Sequence, residues 1–181
     1  MSNIVLKGST SGDVTIAVPA EAGSNTLTIP ASTGTMLTTV NPKPGNIIQV
    51  IHGSSSSTTS TTGTTYVAAN ISAAITPSAA ANKIIVMICS SVYISGANQQ
   101  ASTTIFRGST NLGNSARGIV QYWDTGDLFQ GNASMVVTDH PNTTSAVTYA
   151  LYFRKLSSGG DAVHVGVDAS VQYITLMELA V

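Results

Sequence analysis

Charge is what this sequence has least of. Only 8% of its 181 residues are Asp, Glu, Lys or Arg, seven basic against eight acidic, where an ordinary soluble domain carries about 25%. The cations Lys7, Lys43, Lys83, Arg107, Arg117, Arg154 and Lys155 are scattered, so no basic stripe can neutralise a phosphate backbone, and a nucleic-acid partner is not expected. Eight acidic residues also leave little from which to build the paired carboxylates of a glycan hydrolase. The single cysteine, Cys89, excludes an intramolecular disulfide, and its setting in KIIVMICSSVYIS reads as a small buried hydrophobe, not a nucleophile. Long apolar runs are missing too: IIVMIC falls far short of the roughly 20 residues that cross a bilayer as a helix, so membrane insertion is not expected. The opening MSNIVLKGSTSGDVTIAV is broken by Gly, Ser and Asp and does not read as a signal peptide.

Histidine is nearly as scarce, with three residues. In AVHVGV, Val163, Val165 and Val167 take one face of a strand and His164 the other, toward solvent or a neighbouring chain. His140 in TDHPN belongs to a turn beside Asp139, and His52 reads as a polar cap at a strand end. No GxSxG elbow and no Gly-rich phosphate loop opening a helix occurs. Neither catalytic residue, metal ligand nor cofactor site is expected, and the chain does not read as an enzyme.

The closest carboxylate pair, Asp124 and Asp127, lies in YWDTGDLF. DTGD resembles the DTG of aspartic proteases, but that enzyme needs two such loops and no second copy exists, so a turn between strands is the better reading. A calcium site there would lack oxygens at the usual spacing. Tyr122 and Trp123, with Asp124 and Asp127, could instead contact a glycan at the end of a β-sandwich. Against that stands the plainer expectation that Trp123 and Phe129 at strand ends pack inward as core.

What the sequence has in abundance is strand. β-Branched and aromatic residues alternate with polar ones, about a quarter of all residues are Ser or Thr, and no segment sustains a helical stripe. The chain reads as all-β in two parts, an extended N-terminal arm over residues 1–45 and a head over 46–181, joined at NPKPGN, where two prolines favour an extended, stiff connection. In the arm, NIVLK, DVTIAV, NTLTI and TMLTT are short strands with few apolar side chains. At about 2 kcal/mol per buried aliphatic side chain, set against about 1–2 kcal/mol of backbone entropy per ordered residue, the arm cannot stabilise itself. It needs something to order against.

The head begins with IIQVIH, and its Ser/Thr tract GSSSSTTSTTGTT reads as a flexible surface loop. TYVAANISAAITP, split at its centre, then KIIVMICSSVYIS, ASTTIFRGST, ARGIVQYW, NASMVVTD, SAVTYALYFRK, AVHVGVD and VQYITLMELAV bring the count to about ten strands, which suits an antiparallel β-sandwich or jelly roll. KIIVMIC and ITLMELAV are the most apolar and are expected in central lanes, with one face on the opposite sheet and the other on a neighbouring subunit.

The run VLKGSTSGDVTIAVPAEAGSNTLTIPASTGTMLTT resembles the opening of a broad group of bacteriophage virion proteins, usually called tail-fibre or fibre-like. In these a GxxSGxxTxxxPxxAGxxTLTxPxxTGTLxT motif precedes a separate β-rich head. Gly8, Gly12, Pro19, Ala22, Gly23, Thr26, Leu27, Pro30, Gly34, Thr35 and Leu37 match it. The remainder is similar to globular heads of the tumour-necrosis-factor and complement-head kind. The resemblance implies a homotrimer built into a virion, partnered by phage capsid or tail proteins, whose arm is ordered by pairing through Val14, Ile16, Val18, Leu27, Ile29, Met36 and Leu37. A tail-fibre or fibre-tip role is the first expectation. The lack of a long shaft between arm and head leaves a capsid decoration, or cement, role open, and a carbohydrate-binding module for host surface glycan is the reading from a different class.

Overall fold

The computed structural model describes residues 4–17, 21, 24, 26, 31, 42–126, 128–157 and 159–181. The chain divides into two compact units, Met1–Met36 and Leu37–Val181. In the first, β1 (Ile4–Lys7) and β2 (Asp13–Ile16) form an antiparallel hairpin in which Ile4 faces Ile16 and Leu6 faces Val14. Lys7 Nζ meets Asp13 Oδ2 at 2.9 Å where the strands part, and the Gly8 N–H donates to Gly12 O at 2.8 Å. The sequence pattern at NIVLK and DVTIAV is thus strand. The strands expected around Leu27, Ile29, Met36 and Leu37 lie outside the described residues, as does Val18.

The head strands are β3 (Ile47–Ser55), β4 (Thr59–Thr61), β5 (Val67–Ile75), β6 (Lys83–Ser95), β7 (Gln100–Arg107), β8 (Thr110–Asn111), β9 (Val120–Trp123), β10 (Leu128–Asp139), β11 (Val147–Lys155), β12 (Val163–Val165) and β13 (Gln172–Leu179). They pair antiparallel throughout. β3 and β4 follow one another in a single lane, as do β12 and β13, and β8 and β9 share the lane beside β7. Numbering the lanes in chain order gives one sheet of order 1-8-3-6 and another of order 2-7-4-5. That is the winding of a jelly roll, two Greek keys folded face to face. The fold is all-β, an antiparallel sandwich.

The sandwich follows from period-two alternation. On β6, Ile84, Val86, Ile88, Val92 and Ile94 are buried while Ile85, Met87, Cys89 and Tyr93 point the other way. They meet Ile71 and Ile75 of β5, Ile105 of β7, and Tyr149, Leu151 and Phe153 of β11, all in one core cluster. KIIVMIC and ITLMELAV occupy central lanes, β6 between β13 and β10, and β13 between β3 and β6.

Four readings of the sequence are corrected here. The Ser/Thr tract is not one flexible loop: β3 runs to Ser55 and β4 takes Thr59–Thr61, because β12 offers an open edge and β-branched threonine fits a ladder. Side chains close the gap between them, Thr58 Oγ1 donating to Gly166 O at 2.6 Å and Gln172 Nε2 to Ser57 O at 2.9 Å. TYVAANISAAITP is a single strand, with a register shift against β11 where a break was expected. The NPKPGN connection is not extended: the Asn46 N–H returns to Lys43 O at 3.0 Å across Pro44 and Gly45, and Gly45 at φ 92 fits the third position of a type II turn. The Gly45 N–H also donates to Ala180 O at 3.0 Å, so this turn is fastened to the last strand. Finally Cys89 is half-buried on the outward face of β6, its Sγ 3.4 Å from Asn132 Oδ1, because strand parity gives the core to Ile88 and Ser90.

Candidate interaction surfaces

Among the described residues two groups of exposed apolar side chains stand together. The first is the hairpin of the arm, where the pairs Ile4–Ile16 and Leu6–Val14 share one face and all four side chains are exposed. Val14 and Ile16 were expected as arm contacts and stand on this face; Val18, Leu27, Ile29, Met36 and Leu37 lie outside the described residues.

The second is the outward face of the larger sheet. One row across it runs Val50, Met177, Ile85, Thr138; the next runs His52, Thr175, Met87, Val136; the third runs Ser54, Tyr173, Cys89, Ser134. No Asp, Glu, Lys or Arg stands in these rows. Val50, Met87, Val136 and Tyr173 are exposed, Val136 to 62%, and a depression of about 160 Å³ opens between Met87, Cys89, Val136 and Tyr173. His52 lies within β3, not at its end; its ring stacks on Tyr173 at 5.6 Å and its Nδ1 is 3.2 Å from Thr175 Oγ1.

The other histidines are equally quiet. His164 lies opposite the core on β12, as expected, edge-on to Tyr93 at 5.4 Å. Val167, however, is not on that strand: Gly166, at φ 69, turns the chain into a single 3-10 turn, Val167–Ala169. His140 sits exposed after β10. Among the described residues no group of three or more His, Cys, Asp or Glu side chains is placed to hold a metal ion.

Around YWDTGD the structure separates the residues that the sequence grouped. Tyr122 points inward, its ring 5.5 Å from Phe129 and its Oη donating to Asn132 O at 3.3 Å, with Thr103 Oγ1 at 3.4 Å. Burial pushes its phenol up to about 12 from 10.0, and the bond with Thr103 offsets part of that rise. Asp124 is buried as well, its Oδ1 accepting from the Gly126 N–H at 2.8 Å, which makes it the cap of the turn and not a surface contact. Asp127 lies outside the described residues. Trp123, expected as core, is instead 69% exposed. Successive strand residues face opposite ways, so once Tyr122 fills the interior Trp123 has to look out. The residues beside it, Gln100, Arg117 and Gln121, had no motif to mark them; their grouping comes from the ladder, in which Gln100 faces Trp123.

Buried polar groups elsewhere hold the frame. Glu178, fully buried, receives Asn82 Nδ2 at 2.6 Å and the Ser78 N–H at 2.7 Å on Oε1, and Gln49 Nε2 at 2.6 Å on Oε2. Burial pushes its carboxyl up, but these donors outweigh it and hold the pKa below the ordinary 4.5. Arg107 Nη1 spans both oxygens of Asp139 at 3.0 and 2.7 Å, and Tyr149 Oη donates to the same carboxylate at 2.7 Å. Lys155, also fully buried, donates to the carbonyls of Gly159 and Asp161 at 2.7 and 2.6 Å.

No protein-family model and no curated protein matches this sequence. Among solved structures the chain is similar to the infectious bursal disease virus VP2 subviral particle, at TM-score 0.41 and 12% identity over 77% of this chain and 39% of that one. It is also similar to T=1 particles derived from a mutant VP2 protein of the same virus, at TM-score 0.41 and 13% identity over 93% and 42%. A third is the structure of the Gt strain of that virus, at TM-score 0.39 and 11% identity over 97% and 46%. The chain spans about two fifths of the length of these proteins.

Proposed function

We propose that this protein is a non-enzymatic structural component of a bacteriophage virion, a homotrimer attached to the particle through its N-terminal arm. The observation that carries the reading is a pair of exposed apolar groups, one on a face of the arm hairpin and one on the outward face of the larger sheet. An isolated two-stranded hairpin is marginal in water, so the face of Ile4, Leu6, Val14 and Ile16 calls for a partner, and alternating strands with an apolar face are suited to pairing with another chain's strands. The uncharged rows of the sheet face suit a second and third copy, as obligate interfaces are more apolar than the rest of a surface. The arm motif's resemblance to fibre-like proteins supplies the virion context and favours a tail fibre or fibre tip.

A capsid decoration role is the second reading, and one observation favours it. β2 ends at Ile16 and β3 begins at Ile47, a short stretch of sequence for the long shaft by which a fibre reaches a host. Three arms stapling a shell would gain attachment through avidity without strong individual contacts. Light scattering on the purified protein, followed by antibody labelling of intact particles in the electron microscope, tests both. A trimer confined to the tail supports the fibre, a trimer distributed over the head supports decoration, and a monomer absent from particles overturns the proposal.

A further inference from the structure

We propose that the surface around Trp123 is a saccharide site that takes a pyranose ring carrying a carboxylate. An indole is the costliest side chain to leave in water, and here the ladder fixes it there. β9 sets Gln121 and Trp123 on one outward face, Gln100 of β7 stands directly across from Trp123, and Arg117 and Leu156 complete a depression of about 70 Å³ beside the ring. The components suit a sugar. The apolar C–H face of a pyranose covers an indole, carboxamides donate and accept at once and so match vicinal hydroxyls, and a guanidinium forks onto a carboxylate.

The support beneath is firm. Tyr122 is held by Thr103 and Asn132, the Asp124 N–H donates to Gln99 O at 2.9 Å, and the Gln100 backbone is fastened on both sides, its N–H to Ser157 Oγ at 3.1 Å and its carbonyl to the Leu156 N–H at 2.8 Å. A sheet-mounted site of this kind needs little ordering on binding. Asp124, the nearest described carboxyl in sequence, is buried, its Oδ1 accepting from the Gly126 N–H, so it is turned away from the face that would meet an anionic ligand. The inference is independent of how the protein assembles or where it sits on a particle.

Trp123 is the single tryptophan of the chain, so its fluorescence reports this surface alone. The test is a titration of the full-length protein with D-glucuronate and with D-glucose, which differ at C6 in the carboxylate. Saturable quenching by glucuronate in the millimolar range, at least tenfold weaker for glucose and lost in Gln121→Ala, is the expected result. In Arg117→Gln the preference for glucuronate should fall to about the level of glucose. Equal response to both sugars in the wild type would overturn the carboxylate assignment, and no saturable response to either would overturn the site. Saturation transfer NMR on Trp123→Ala, with folding checked by circular dichroism, gives an independent reading: glucuronate signals that persist there place the sugar elsewhere and overturn the proposal.

Discussion

Asn82 Nδ2 stands 2.6 Å from Glu178 Oε1, and through that contact the segment after β5 grips the last strand of the head. The Ser78 N–H and Oγ donate to the same oxygen, while Gln49 Nε2 divides between Glu178 Oε2 at 2.6 Å and Thr76 O at 2.8 Å. A carboxylate has acceptor capacity for all of these. A carboxamide has one oxygen, and its NH2 would confront Gln49, which cannot flip without giving up Thr76.

Glu178→Gln is therefore expected to cost on the order of 1–3 kcal/mol, read as a fall in Tm of about 2–4 °C per kcal/mol for a chain of this size. The wild type should also carry an acid dependence that the variant lacks. Since the folded pKa is held below 4.5, the contribution is complete above that pH and lost as pH falls through the folded value. Melts between pH 3 and 7 check both; parallel curves for the two proteins would remove the role assigned to this carboxylate.

At the alkaline end the sign reverses. The Tyr122 phenol is raised from 10.0 to about 12 by burial, and Tyr149 is raised also, by burial first and then by its bond to Asp139. Groups raised in the fold stabilise it fully below pH 10 and lose that contribution as pH climbs through the folded values. These two phenols should ionise only in step with unfolding seen by circular dichroism. Early release of both tyrosinates in a folded protein would contradict the packing described.

If the rows on the larger sheet are the trimer contact, a charge placed in them should separate the copies. Met87→Lys with Val136→Lys is expected to yield a folded monomer by light scattering, because lysine on an exposed strand position costs the isolated head little. Thr110→Lys, on the other sheet, should remain trimeric. A double variant that stays trimeric would move the interface away from this face.

For the arm, Leu6→Asp with Val14→Asp should leave the Tm and assembly of the head unchanged while abolishing incorporation into particles. Deletion of residues 1–41 should do the same, and it spares the turn through Gly45 that binds Ala180. Loss of trimers on either change would place the assembly contacts in the arm.

Much of the fold was legible because its signal is period two. Ile84, Val86 and Ile88 alternate with Ile85, Met87 and Cys89, and a two-layer sandwich follows. The Ser/Thr tract was misread since hydroxyl residues carry no apolar alternation; what makes Thr59–Thr61 a strand is an edge supplied by Val163–Val165, about a hundred residues on. Trp123 was recoverable in principle, as two adjacent aromatic residues on a strand cannot both face one core, and burial of Tyr122 settles the parity. Gln100 and Arg117 were not, because a ladder partner and a loop neighbour leave no local mark.

The ladder of β3 with β13 also has a mechanical meaning. Tension transmitted along the chain from the arm enters the head at Ile47, paired with Leu179, and past a bulge at Ile48 the strands stay in antiparallel register from Gln49 against Glu178 to Ser55 against Gln172. A pull along β3 must shear this zipper as a block. A pull across it would peel one rung at a time, starting where Gly45 and Gln49 are fastened to Ala180 and Glu178. The strongest polar grip on the last strand thus sits at the rung where a load would first arrive, as a rivet sits at the edge of a seam.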